Sequence, residues 1–173
     1  MPTTMILTAL GTDRPGLTAA LADAVTEAGG NWLESQLGRL GGKYVGAVLV
    51  EIGEGDVARL EAALAAIDPA TLAVTLAPTA PHHPPAGHHL SLELVGADRP
   101  GIVREVTSVL AGLGVNIESL ETAAEPGSWS GELLFRARAE LLVPDGVDPD
   151  AVSTALEAIS GEIMADITLS PGG

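Results

Sequence analysis

The sequence predicts an α+β chain made of two copies of one β-α-β-β-α-β module, and three observations carry the prediction. The hexapeptide Gly11-Thr12-Asp13-Arg14-Pro15-Gly16 returns as Gly96-Ala97-Asp98-Arg99-Pro100-Gly101, 85 positions later. Around each copy the apolar residues switch from the alternation of a strand to the three-and-four spacing of a helix, in the same order. Between the copies lies a stretch with four prolines, Pro78 to His89.

Thr4 to Leu10 reads as the first strand. Leu17, Leu21, Ala24, Val25 and Ala28 then trace one face of a helix, which Gly29-Gly30 ends. Asn31 to Leu40 and Lys43 to Ile52 read as two strands joined by Gly41-Gly42, a two-residue hairpin turn. Val57, Leu60, Leu64 and Ile67 mark the second helix, closed by Asp68-Pro69. Thr71 to Ala77, with Leu72, Val74 and Leu76 alternating, is the fourth strand. The second copy runs in the same order. Leu90 to Val95 is a strand, and Ile102, Val106, Val109, Leu110 and Leu113 give a helix ended by Gly114. Val115 to Ala123 and Glu132 to Val143 form a hairpin around Pro126-Gly127. Val152, Ala155, Leu156 and Ile159 mark a helix, and Ile163 to Leu169 the last strand. The second helix repeats at an offset of 92, which places seven extra residues after the third strand of the second copy, near Pro144-Asp145-Gly146. The apolar spacing survives the insertion, as expected of an internal duplication. With right-handed crossovers each copy builds a four-stranded antiparallel sheet, strands one and three at its centre and both helices on one face. The modules are expected at residues 1–78 and 90–173, with an extended linker at 79–89. Two copies in one chain are expected to pair with each other or with a second chain.

All four histidines, His82, His83, His88 and His89, fall in that linker. No carboxylate lies within the run to complete a metal site, so no metal and no cofactor is expected. There is no cysteine, hence no disulfide and no thiolate nucleophile. No G-x-S-x-G turn and no P-loop occurs, and Glu34-Ser35 and Glu118-Ser119 have no histidine base near them in sequence, so catalysis is not expected. The net charge is −15. Nucleic-acid binders gather Lys and Arg against phosphate, so direct DNA or RNA binding is disfavoured. No apolar run reaches the length of a membrane span, and the N-terminus lacks a basic region followed by an apolar segment, so a cytoplasmic protein is expected.

The hexapeptide is where chemistry is expected. A glycine lets the chain leave the strand, Asp13 or Asp98 suits the cap of the coming helix, and proline suits the helix start. A helix N-terminus favours anions, and a neighbouring aspartate can hold an ammonium, so the pair of features fits a zwitterionic amino acid. A capped turn that binds nothing would use the same residues. Eighteen residues after each aspartate comes an asparagine, Asn31 or Asn116, at the far end of the intervening helix. It can approach an aspartate loop only from a neighbouring module of opposed orientation, and spacing alone leaves it a turn residue after glycine.

The GxDRPG turn, a helix, then Asn at the start of the second strand is similar to the pattern of ACT domains. The resemblance covers nearly the whole chain, twice. It implies ferredoxin-like βαββαβ modules that regulate by binding an amino acid between paired modules. It also implies ligand contacts at Asp13, Asn31, Asp98 and Asn116, and along the loops of Thr12, Arg14 and Gly16 and of Ala97, Arg99 and Gly101. Leu7 to Gly16, Gly30-Asn-Trp-Leu-Glu-Ser35 and Leu40-Gly41-Gly42 more narrowly resemble a group of tandem ACT repressors of glycine cleavage. That likeness implies glycine or a similar ligand, a partner such as a transcriptional activator, and a homo-oligomer. Val115-Asn-Ile-Glu-Ser-Leu120 also resembles regulatory subunits of amino-acid biosynthetic enzymes. Strand two runs Asn31-Trp-Leu-Glu-Ser35 in one copy and Asn116-Ile-Glu-Ser119 in the other. One residue fewer would put the two strands out of step and make the sites unequal.

Overall fold

Met5, Leu7 and Ala9 are buried while Thr8 and Leu10 are exposed, and this alternation gives the first sheet its two faces. The computed structural model describes residues 1–79, 86–127 and 132–172. The chain divides into two units, Met1–His83 and Pro84–Gly173. The first contains β1 (Pro2–Thr12), α1 (Leu17–Glu27), β2 (Asn31–Leu40), β3 (Lys43–Gly53), a 3-10 turn at Glu54–Asp56, α2 (Val57–Ala65) and β4 (Leu72–Thr79). Its sheet is antiparallel in the order β2-β3-β1-β4, so the first and third strands lie at the centre. Leu21 and Val25 of α1 and Leu60 of α2 close over Leu7, Val48, Val50, Ile52 and Leu72 in one aliphatic core. Burying each of these leucines contributes roughly 1.5–3 kcal/mol before chain entropy is set against it.

The second unit contains β5 (Gly87–Ala97), α3 (Ile102–Gly112), β6 (Asn116–Pro126), β7 (Leu133–Pro144), α4 (Pro149–Ile163) and β8 (Ala165–Pro171). Its order is β6-β7-β5-β8, again antiparallel. Its core gathers Leu92, Leu94, Ile102, Leu110, Leu141, Val143, Val152, Leu156 and Ile163. Both units therefore have the architecture expected from the sequence.

Four details differ from expectation. His88 and His89 belong to β5, opposite Val143 and Leu142, rather than to a linker. His82 and His83 lie outside the described residues. Ile163, expected in the last strand, is the last residue of α4 and fully buried. The strand begins at Ala165, after Met164 turns the chain through a left-handed conformation. The insertion is also misplaced by sequence. Tyr44 faces Gly11 and Phe135 faces Gly96, so β3 and β7 already stand 91 apart. Six of the seven residues therefore lengthen the β6–β7 hairpin, two as the added pair Pro126 and Leu133 and four between the strands, and one follows β7. Finally, the second strands are in step. Asn31, Trp32 and Glu34 pair as Asn116, Ile117 and Ser119 do, with a bulge at Leu33 and at Glu118. The repeated Glu-Ser is a coincidence displaced by one residue, since Glu34 takes the place of Ser119.

The sheet faces turned away from the helices differ. In the first unit Ile6 opposes Leu49, Thr8 opposes Ala47 and Leu10 opposes Val45. In the second unit the same rows are Ser91 with Glu140, Glu93 with Arg138 and Val95 with Arg136. Ser91 donates to both Glu140 oxygens at 2.8 and 2.9 Å, and Arg138 Nε lies 3.1 Å from Glu93 Oε1. Among the described residues no helix is long and apolar enough to cross a membrane.

Candidate functional site

Each GxDRPG turn is shaped by its last glycine. Gly16 (φ 96°) and Gly101 (φ 94°) are the N-caps of α1 and α3 in the left-handed region, which a side chain would resist. Neither helix start receives a side-chain cap. Asp13 and Asp98 therefore do not cap, contrary to the sequence expectation, and the prolines precede the cap rather than opening the helix. The left-handed glycine carries the chain into the helix, so the aspartates stay outside the first turn. The first-turn N–H groups are left without a side-chain partner. The backbone ties each loop to the neighbouring hairpin: Asp13 N–H donates to Gly42 O (3.3 Å) and Asp98 N–H to Leu133 O (3.0 Å).

The side chains around the two loops diverge. In the first, Lys43 Nζ donates to Thr12 Oγ1 (3.1 Å), and Arg39 Nε stands 3.9 Å from Asp13 Oδ2. Tyr44 and Thr18 share a hydroxyl hydrogen bond at 2.8 Å. Arg14 is exposed and makes no ion pair among the described residues. In the second, Arg99 forms a bidentate pair with Glu105, Nη1 to Oε1 at 3.1 Å and Nη2 to Oε2 at 2.6 Å. Those hydrogen bonds hold the Glu105 carboxyl below its ordinary range and the Arg99 guanidinium above its own. Arg99 Nε is buried and has no partner among the described residues. Between α3 and the sheet, Val103, Ile117, Leu120 and Phe135 line an apolar cleft of about 20 Å³, little more than one water would occupy.

Asn31 and Asn116 open β2 and β6 and are exposed. They stand at the opposite end of each unit from the loops. Seven residues of β3 separate the row of Gly11 from that of Asn31, and seven of β7 separate Gly96 from Asn116, about 23 Å at the rise of a strand. Within one module the aspartate and the asparagine do not meet. Near Asn116, His89 Nδ1 lies 3.2 Å from Glu118 Oε2. Among the described residues no three His, Asp or Glu side chains gather as metal ligands.

With the fold and both loops in view, comparison with known proteins decides the family. ACT-domain models match residues 3–74 and 90–161. The chain belongs to the ACT-domain family. ACT modules account for both units, and similarity to known proteins runs through both. The chain is 24% identical over 165 residues to the glycine cleavage system transcriptional repressor of Escherichia coli K12, covering 93% of this chain and 86% of that one; the Shigella flexneri repressor matches to the same extent. Its fold also matches a solved protein of unknown role from Galdieria sulphuraria, at TM-score 0.83, 28% identity and full coverage of both chains. A structure described as a candidate glycine cleavage system transcriptional repressor matches at TM-score 0.76, 19% identity and 99% coverage of each chain.

Sequence reasoning missed Glu105, Arg39, Lys43 and the Thr18–Tyr44 pair. Glu105 is marked in the sequence only by its counterpart Ala20 at the shared offset, a difference that matters once Arg99 is seen to reach it. The hairpin residues are not marked, because which of them stand beside the loop is set by the pairing of β3 with β1, more than thirty residues away in sequence.

Proposed function

We propose that this chain is an amino-acid-responsive regulatory protein, not an enzyme, that acts in the cytoplasm through a partner protein such as a transcriptional activator. The observation that carries the reading is the pair of GxDRPG loops on ACT modules, each presenting an uncapped helix start beside an exposed aspartate. A small amino acid, glycine or one close to it, places its carboxylate toward N–H groups and cations and its ammonium toward the aspartate. Because aspartate and asparagine lie at opposite ends of a module, the amide contact comes from another module of this chain or of a second copy. The ligand then acts by its differential affinity for two module arrangements. The similarity to glycine cleavage repressors supports the choice of glycine and of a protein partner. The acidic balance supports a partner over DNA.

Calorimetry of the intact chain against the twenty amino acids tests this reading. Binding of a small amino acid, weakened in the Asp13→Ala, Asp98→Ala double variant, is the expected result. No binding to any of them would end the proposal. Capture from lysate with and without the ligand then separates a transcriptional activator from a large biosynthetic enzyme subunit.

A further inference from the structure

We infer that the two loops have parted in role: the first receives the amino acid, with Arg14 as the group that takes its carboxylate, and the second takes none. This inference rests on the amino-acid reading above and adds which copy is used and by which residue.

The register gives the comparison residue by residue. Thr12 pairs with Lys43 where Ala97 pairs with Leu134, and Gly11 faces Tyr44 where Gly96 faces Phe135. Arg39 occupies the row of Tyr44 as Ala124 occupies the row of Phe135. Thr18, bonded to the Tyr44 hydroxyl, has Val103 as its counterpart. At every one of these places the first loop offers a polar group and the second an apolar one. Three of the four cations in residues 1–80, Arg14, Arg39 and Lys43, belong to this one end of a chain whose net charge is −15.

The arginine repeated in the two hexapeptides is in opposite states. Both terminal nitrogens of Arg99 are engaged by Glu105, which satisfies the fork that a ligand carboxylate would need. At the position of Glu105 the first module has Ala20, and Arg14 is left exposed with its fork open. Among the described residues the Asp13 side chain is held only by the 3.9 Å approach of Arg39, with both side chains exposed. An exposed pair at that distance is weak, and a ligand ammonium displaces it at small cost. The first loop thus presents separate places for the two charges of an α-amino acid. The second presents a guanidinium already neutralised.

The test is calorimetry on the intact chain with glycine, or with the tightest binder of the twenty amino acids. One equivalent per chain is expected. Arg14→Ala should weaken it about tenfold or more, and Arg14→Lys, which keeps the charge but not the fork, should fall between. Ala20→Glu builds into the first module the carboxylate that occupies Arg99 in the second, and should weaken binding as Arg14→Ala does. Melting temperatures near that of the unaltered chain show that each variant is folded. Two equal equivalents per chain, or one equivalent that survives both Arg14→Ala and Ala20→Glu, would overturn the inference and leave the amino-acid reading standing. No heat with any amino acid would overturn both.

Discussion

The two modules share a backbone plan and differ in what they put on it. On the sheet face away from the helices, the rows Ile6–Leu49, Thr8–Ala47 and Leu10–Val45 in the first become Ser91–Glu140, Glu93–Arg138 and Val95–Arg136 in the second. At the GxDRPG loop the contrast runs the other way, polar and cationic in the first, apolar and ion-paired in the second. Duplication kept the positions that set the fold, namely the left-handed Gly16 and Gly101, the bulges at Leu33 and Glu118, and the buried alternation of the central strands. It let the surfaces drift in opposite directions. A surface substitution costs a few tenths of a kcal/mol and a core substitution several, so the frame holds while the chemistry moves.

The substitution with the largest expected effect lies in β3. Gly46 has φ 153°, and a methyl there would collide with the backbone of Gln36 and Leu37 on β2. Ala137 stands in the same row of the second sheet, opposite Leu94 as Gly46 is opposite Ala9. Gly46→Ala should therefore cost about 3 kcal/mol in urea denaturation, although the other module carries that residue. Loss of less than about 1 kcal/mol would show that the two hairpins pack alike.

Exchanging Tyr44 and Phe135 should have a smaller effect. Tyr44→Phe removes one partly buried hydrogen bond to Thr18 and should cost about 1 kcal/mol. Phe135→Tyr adds a hydroxyl whose corresponding neighbour is Val103 and should bring no gain. Thermal denaturation of both variants checks this, and stabilisation by Phe135→Tyr would mean that the second module can supply the missing partner. Smaller again is Arg138→Ala. Its pair with Glu93 is 75% and 60% exposed, so the change should be roughly 0–0.5 kcal/mol and should vanish in high salt.

The smallest effect is one of pH. Hydrogen bonds from Arg99 lower the folded-state pKa of Glu105. The contribution of that pair is present above the ordinary carboxylate range and fades as pH falls through the lowered value. In an NMR titration the Glu105 carboxyl should change protonation below the ordinary glutamate range, and Arg99→Gln should raise its midpoint. An unmoved midpoint would show that the pair does not form in solution.

Much of this was legible before any coordinates. The alternation of Met5, Leu7 and Ala9 and the three-and-four spacing of Leu17, Leu21, Ala24 and Val25 fix strand, helix and inward face, because burial enforces both periods. The duplicated hexapeptide pointed to the loops. What escaped were features set by backbone register and tertiary reach. Asp13 and Asp98 suit a cap by type, yet the left-handed glycine assumes that place. The Glu-Ser repeat suggested a shifted strand, yet matching bulges restore the register. Asp148, whose side chain accepts from Asp150 N–H at 3.0 Å with Pro149 following it, marks the start of α4, ahead of the first residue of its apolar spacing, Val152. The bond from Arg99 to Glu105 spans six residues across a turn, which no helical or strand periodicity reveals.

The most direct measurement is a backbone amide NMR titration of the intact chain with glycine or the tightest-binding amino acid. The amides of Thr12 to Gly16, omitting Pro15, are expected to shift saturably, while those of Ala97 to Gly101, omitting Pro100, stay in place. Shifts in the second loop at the same or lower ligand concentration would contradict this expectation.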